Sequence, residues 1–403
     1  MINESGKALV QSKRLTKVKV AILVILFLSL GGLQLKYLYG KMADENIGKD
    51  FIEYWSTGRL LLDGDNPYSI EKIYDLQKLM GRTNDYPLMM YNPPWTLTFI
   101  LPFCMQNYNL SKLLWMLFNF GLVVFCADWA WRFYGGSYNT RILSLIITFT
   151  FVPTLFVLNM GQIAPLILLG VVGFLHFEKH KYWGLAGFAL PLIAIKPHLL
   201  CLFWIALLLW VFDRGKWRII FNGILAGLVV TIIPTSYNFN LFNQYINTIV
   251  NCSPSSWQTA TIGTLLRIYY GTEKQWLQFL PLILGILWFL VYWCKHKNTW
   301  EWNQQIPIIF LVSLMISPHA WSMDYPVLLT TIIHLAIQLI KSQQGRLIKL
   351  AIAVYLIING SILIMHFLRI NDCFFSWIIP ALLISYSIFS IQIEQRKLLT
   401  LKC

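Results

Sequence analysis

Four polar interruptions in an otherwise apolar chain carry the residue types that could do chemistry. The first opens with Asp50, in Asp50-Phe51-Ile52-Glu53-Tyr54-Trp55. A carboxylate in such a setting is a candidate general base, able to take the proton of an attacking hydroxyl. Asp50 with Glu53 three positions on also matches the D-x-x-E start of a capping box, so helix initiation is the competing explanation. The second is Lys196-Pro197-His198, set within an apolar stretch of roughly 183–212. A lysine near hydrocarbon costs about 2.5–3.5 kcal/mol on insertion scales, which calls for an anion to offset it. The alternative is a surface turn whose lysine snorkels to water.

The third interruption is Ser317-Pro318-His319-Ala320-Trp321-Ser322-Met323-Asp324-Tyr325. His319 can donate to a phosphate or move a proton; Trp321 and Tyr325 equally suit the aromatic belt of a membrane interface. The fourth is Asn159-Met160-Gly161-Gln162, whose amides can bind sugar hydroxyls or merely satisfy the backbone at a helix turn. Asp63-Gly64-Asp65 has the D-x-D form of metal-dependent sugar transferases, but Gly-Asp turn chemistry explains it as well. Nothing matches a phosphate-binding loop, a nucleophile elbow, an H-E-x-x-H helix or a heme or flavin fingerprint, so ATP-driven work is not expected. The seven cysteines are scattered and include no C-x-x-C pair. A Cys252–Cys373 bridge is the one pairing worth naming.

Composition dictates what must position these groups. Of 403 residues, 57% are hydrophobic and only 12% charged, with a mean hydropathy of +0.58. A soluble domain carries about 25% charged residues, so a soluble enzyme, a disordered chain and a secreted disulfide scaffold are excluded. The net charge of +14 forms no stripe suited to a nucleic-acid backbone. It falls instead in short loops: Lys179 to Lys181, Arg214 to Arg218, Lys295 to Lys297, Lys341 to Arg346, and Arg396-Lys397. Such loops are expected on the cytoplasmic side. The fold class expected is therefore all-α, a polytopic transmembrane bundle.

Apolar segments are read at 20–39, 94–106, 111–131, 141–159, 162–177, 183–196, 198–212, 219–236, 276–294, 305–317, 325–341, 346–367 and 374–393. Two cytoplasmic ends require an even number of crossings, which gives about twelve, with 94–106 the weakest. Residues 1–19 read as a basic cytoplasmic N-terminus leading into an uncleaved signal anchor. Residues 20–393 read as one transmembrane domain, and 394–403 as a cytoplasmic tail. Long extracytoplasmic loops are expected at 40–93 and 237–275. The first holds nine of the chain's eighteen acidic residues, and long loops in compact proteins are usually functional. Within it the spacing predicts an amphipathic helix from Asp50 to Leu62. Its apolar side (Phe51, Tyr54, Trp55, Leu61, Leu62) would lie along the membrane surface. A second short helix is expected over 70–81, and Pro93-Pro94 should start another.

The ordered series Asp50-Phe51-(x2)-Tyr54, Gly64-Asp65-Asn66-Pro67-Tyr68, Tyr91-Asn92-Pro93-Pro94-Trp95, Gly161-Gln162, Ile195-Lys196-Pro197-His198 and Ser317-Pro318-His319-Ala320-Trp321 resembles glycosyltransferase family 87. That family comprises integral-membrane enzymes of the GT-C type, including polyprenol-phosphate-mannose-dependent alpha-mannosyltransferases. The resemblance runs from about 50 to 325. It implies a GT-C architecture and a donor lipid entering from the bilayer. It also implies transfer of a hexose, mannose foremost, from a polyprenyl-phosphate carrier to a lipid or glycan acceptor on the extracytoplasmic face, with inversion and no metal or other cofactor. On the matching positions Asp50 becomes the base, Lys196, His198 and His319 the donor-phosphate ligands, and Tyr54, Tyr91, Asn92, Gln162 and Trp321 substrate-binding residues. Asn92 departs from many relatives at its position. The short basic loops suit a bacterial inner membrane. Two other activities fit the same residues: a transporter or flippase of lipid-linked sugars, and a polymerase or ligase of surface polysaccharide.

Overall fold

The computed structural model describes residues 48–251 and 257–400, with side chains as far as 395. The expected signal anchor at 20–39, the acids Asp44 and Glu45, Cys252 with its suggested bridge, and the side chains of Arg396 and Lys397 lie outside the described residues. What is described is helical, with no strand. In chain order the helices are α1 (Phe51–Leu62), α2 (Ile70–Leu79), α3 (Leu97–Cys104), α4 (Tyr108–Phe133), α5 (Ile142–Thr150), α6 (Val152–Met160), α7 (Ala164–Lys179), α8 (Trp183–Phe188) and α9 (Leu190–Ile193). They continue as α10 (Cys201–Arg214), α11 (Trp217–Tyr237), α12 (Leu241–Asn251), α13 (Ile262–Tyr270), α14 (Trp276–His296), α15 (Trp302–Ile316), α16 (Leu329–Ser342), α17 (Gly345–Phe367) and α18 (Ile378–Thr400). Short 3-10 turns fill Pro94–Thr96, Pro197–Leu200 and Ser322–Leu328.

Every apolar segment expected within the described residues is helical, yet the span count differs from about twelve. Seven helices are long and apolar enough to cross a bilayer, or eight if the bent pair α5–α6 is one span. Three more, Pro94–Cys104, Trp183–Ile193 and Trp302–Ile316, are apolar but short. The single segment expected at 141–159 is broken by a bend of 64°. Pro153 supplies the cause, because proline lacks the N–H that a continuing helix needs. Phe151 turns to extended backbone (ψ 102), and the Val152 N–H donates to Asn359 Oδ1 of α17 at 2.8 Å.

The loop helix α1 also differs from expectation. Its apolar residues Phe51, Tyr54, Trp55 and Leu61 are buried by protein, not laid on a membrane surface. The α1 helix packs against α3 and α4, and the Phe51 ring stacks 5.6 Å from Trp115 of α4. Within α1, Gly58 lies so close to Cys104 of α3 that an added Cβ would meet its sulfur at 2.4 Å. The expected second helix is present as α2, started by the Ser69 side chain accepting from the Lys72 N–H.

Four helices set the polarity of the bundle. The α7 helix begins beside Gln162 and ends at Lys179, and α10 begins after His198 and ends at Arg214. The α15 helix rises from Trp302 to Ile316, just before His319, and α16 returns from the Asp324 turn to Ser342. The four polar breaks thus share one end of the bundle and the basic loops the other. At the basic end the loops hold one another: Arg214 donates to the Lys297 carbonyl at 2.9 Å, Lys179 to Phe133 at 3.0 Å and Lys341 to Tyr134 at 3.1 Å. The α7 helix is the buried axis of the bundle, while α11, α14 and α17 turn rows of leucine, isoleucine and phenylalanine outward. An outward apolar surface on that scale needs lipid; this is an integral membrane protein.

Candidate functional site

The site is assembled on the corner between α6 and α7. Gly161 adopts the left-handed conformation (φ 71) that ends α6, and a Cβ there would press to 3.2 Å from Phe51 Cβ and 3.3 Å from Gly48 Cα. That close approach lets residues 48–50 dock on the end of α6. Gly48 N–H donates to the Asn159 carbonyl at 2.7 Å, and Asp50 N–H to Met160 at 3.0 Å, satisfying carbonyls that a helix end leaves open. From α4, Trp115 Nε1 donates to the Gly161 carbonyl at 2.7 Å and Asn119 to the Gln162 carbonyl at 3.2 Å. The backbone under Gln162 is therefore held from two sides.

The Gln162 side chain joins the acidic and basic groups of the cleft. Its Nε2 donates to Asp50 Oδ2 at 2.7 Å, and its Oε1 accepts from Tyr54 OH at 2.7 Å and from Lys196 Nζ at 3.4 Å. The amide orientation follows from these partners, since a carboxylate only accepts and an ammonium only donates. Asp50 is not a helix cap: its backbone is helical and its side chain makes no capping bond. The local explanation for this acid therefore fails, and its carboxylate instead meets the Gln162 side chain.

Lys196 ends in an ion pair that sequence reasoning missed. Its Nζ lies 2.6 Å from Asp324 Oδ1, with side-chain exposures of 13% and 2%. Asp324 Oδ2 accepts from the Trp321 N–H at 3.0 Å, so this carboxylate both shapes the third polar break and anchors the lysine. A solvent-snorkelling lysine is thereby excluded. Beside it, His198 is exposed and within electrostatic reach of Lys196, Asp324 and His319. His319 is half-buried, and its Nδ1 has no hydrogen-bond partner among the described residues. Burial, with the charge of Arg267 behind it, holds His319 below the ordinary histidine range, so its imidazole is neutral at pH 7.

Burial also shifts the acids. Asp50 is raised above the usual carboxylate range by burial, opposed first by the Gln162 hydrogen bond and then by the Lys196 charge. Glu53 is pushed up to about 8 by burial and by the charge of Asp50. Arg82, half-buried in the loop after α2, is electrostatically coupled to both acids and donates to the Tyr86 carbonyl at 2.9 Å. Glu53 figured in the sequence only as a capping partner, and Arg82 gave no local signal.

The remaining expected residues fall around this core. Tyr91 meets Trp257 edge-on at 5.2 Å, and Trp257 meets Trp321 at 5.7 Å. Three loops thus contribute one partly exposed aromatic wall, of which Trp257 was not anticipated. Asn92 is buried, and its amide lies 3.5 Å from the Ile195 carbonyl, under the Lys196 turn. Asp63 pairs with Arg59 at 3.1 Å and Asp65 pairs with Lys72, so both acids of the D-x-D turn are engaged locally. The arrangement links the Asp50 carboxylate and the Lys196 ammonium through a single amide, with the aromatic cluster of Tyr91, Trp257 and Trp321 on the adjoining loops. That set can remove a proton on one side of a bound molecule and stabilise an anion on the other.

The model of glycosyltransferase family 87 matches residues 90–318, more than half of the chain. The match takes in Gln162, Lys196 and the turn as far as Pro318, and begins downstream of Asp50. No curated protein and no solved structure matches the chain.

Proposed function

As the chain belongs to glycosyltransferase family 87 and is thus a membrane glycosyltransferase, we propose that it moves a hexose, mannose in the first instance, from a polyprenyl-phosphate donor. The acceptor is a hydroxyl of a lipid or glycan. Transfer takes place at the end of the bundle opposite the basic loops, which is the extracytoplasmic face if basic loops stay inside, most simply that of a bacterial inner membrane. The observation that carries the reading is the hydrogen-bonded chain Asp50–Gln162–Lys196, which sets a carboxylate and an ammonium on either side of one amide.

Asp50 takes the proton as the acceptor O–H bond breaks and its oxygen attacks the sugar C1. The bond from C1 to the phosphate oxygen breaks on the opposite side, its electron pair leaving with the phosphate, and the anomeric configuration inverts. Lys196 faces the departing phosphate, already fixed by Asp324 and so with little reorganisation at the moment of reaction. His198 and neutral His319 add N–H donors, and the positive charge of this cleft comes from side chains. Tyr91 and Trp321 contact the sugar, and Gln162 orients base and cation. Tyr54, fully buried, braces Gln162 through its hydroxyl instead of touching substrate, and Asn92 supports the lysine turn. A hydrophobic carrier reaches the cleft from the bilayer through the outward apolar surface.

Purified protein in liposomes, given radiolabelled polyprenyl-phosphate mannose or glucose and a lipid extract of the host membrane, tests the reading. Wild type should place label in a new lipid or glycan. Asp50→Asn should lose about 10²–10⁴ in rate, the range for a missing general base. Label that stays on the carrier but crosses the bilayer with both proteins would make this a flippase instead.

A further inference from the structure

Behind the His319 turn lies a charge that none of these roles uses. Arg267, in the last turn of α13, is 6% exposed. Its Nε and Nη2 donate to the Thr272 carbonyl at 3.2 and 2.8 Å, and Nη1 donates to Gln278 Oε1 at 3.3 Å. All of its partners are neutral. Among the described residues no carboxylate pairs with it. Of the acids at this end, Asp324 is committed to Lys196 and Asp372 to the Ser322 N–H and hydroxyl, while the exposed Glu273 folds back on Gly271 and forms no ion pair with Arg267.

A buried charge without a counter-ion is costly, and the dipoles of one helix C-terminus return only a small part of that cost. Closing the loop after α13 does not need a full charge, because a neutral donor would reach the Thr272 carbonyl as well. Gln278 meanwhile ties this arginine to the site. Its Nε2 donates to Thr261 at 3.3 Å and Thr264 at 3.2 Å and to the Pro318 carbonyl, immediately before His319. The Arg267 charge reaches the His319 ring, whose Nδ1 is buried and unpartnered.

We infer that Arg267 is the electrostatic back wall of an anion subsite, whose missing counter-ion is a phosphate group bound at the His319 turn. It acts through the turn as a positioning residue and does not touch the sugar. The inference rests on the lipid-phosphate donor proposed above and extends it. Lys196 shares its charge with Asp324, so Arg267 supplies a further positive charge for the phosphate.

The test is the ligand-induced thermal shift of the full-length protein in detergent, titrated with undecaprenyl phosphate, with polyprenol, and with inorganic phosphate. Wild type should respond to undecaprenyl phosphate and not to polyprenol. Arg267→Gln should raise the half-saturating concentration about tenfold or more, equivalent to about 1.4 kcal/mol or more, while Arg267→Lys should remain within about threefold. A shift with inorganic phosphate alone, lost in Arg267→Gln, would mean that the group is recognised without its lipid and supports the subsite. Wild-type affinity in Arg267→Gln overturns the inference and leaves the donor reading standing. No response of wild type to either phosphate overturns both. If Arg267→Gln does not fold, Gln278→Glu sets an internal carboxylate beside the guanidinium. The same weakening then supports the subsite, and unchanged affinity removes it.

Discussion

Replacing Gln162 by leucine separates a residue that tunes the base from one that only holds it. Asp50 is raised by burial, and the Gln162 N–H is the strongest opposing influence. A hydrogen bond to a charged group contributes about 1.5–3 kcal/mol. Losing that donor disfavours the ionised form and should therefore push the Asp50 pKa further up. The base works ionised, so activity falls as pH drops through its pKa. A higher pKa moves that acid limb toward neutral. The assay is kcat/KM for sugar transfer in proteoliposomes between pH 5 and 9. Gln162→Leu should lose activity steeply at the acid end and recover most of it at the alkaline end. Leucine also removes the 2.7 Å bond from the Tyr54 hydroxyl and the 3.4 Å contact to Lys196, so the alkaline plateau should sit somewhat below wild type. A profile lowered by the same factor at every pH would refute the tuning argument and leave Gln162 a positional clamp. An unchanged profile would refute the role of Asp50 as the ionising base.

The Lys196–Asp324 pair should behave as a coupled unit. Lys196→Gln and Asp324→Asn each strand a buried charge and should destabilise by about 3–5 kcal/mol, whereas the double variant should lose markedly less than the sum. Additive losses in denaturant unfolding in detergent would mean that the pair does not interact as its 2.6 Å contact requires. Glu53 should make stability depend on pH. Its folded value of about 8 lies above the ordinary 4.5, so its protonated form is favoured by folding. Wild-type Tm should fall as pH rises from about 4.5 through 8, and Glu53→Gln should flatten that slope. An equal slope in both proteins would assign the dependence to other groups.

Much of this architecture was legible because its signals are local. Apolar runs, proline positions and basic loops each speak about their own neighbourhood, and each expected segment within 48–400 is a helix. The exceptions have local causes that the pattern hid. The segment expected at 141–159 breaks at Phe151, whose backbone is extended, with Pro153 starting the next helix where its missing N–H is tolerated. The apolar face of α1 meets protein because Gly58 admits Cys104. Periodicity announces that a face must be covered and says nothing of what covers it.

The site shows the complementary limit. Asp50, Gln162, Lys196 and His319 drew notice as polar residues in apolar surroundings, a cost visible in one dimension. What makes them a site is long-range: 112 residues separate Asp50 from Gln162 and 128 separate Lys196 from Asp324. Asp324 lay inside a polar stretch already singled out, but without its partner it was one more polar residue in an interfacial turn. Arg267 is the harder case. In sequence it is a lone cation in a loop helix, where a solvated arginine costs nothing. Only its burial, and the absence of any acid beside it among the described residues, turns it from an ordinary surface charge into a demand for an anion.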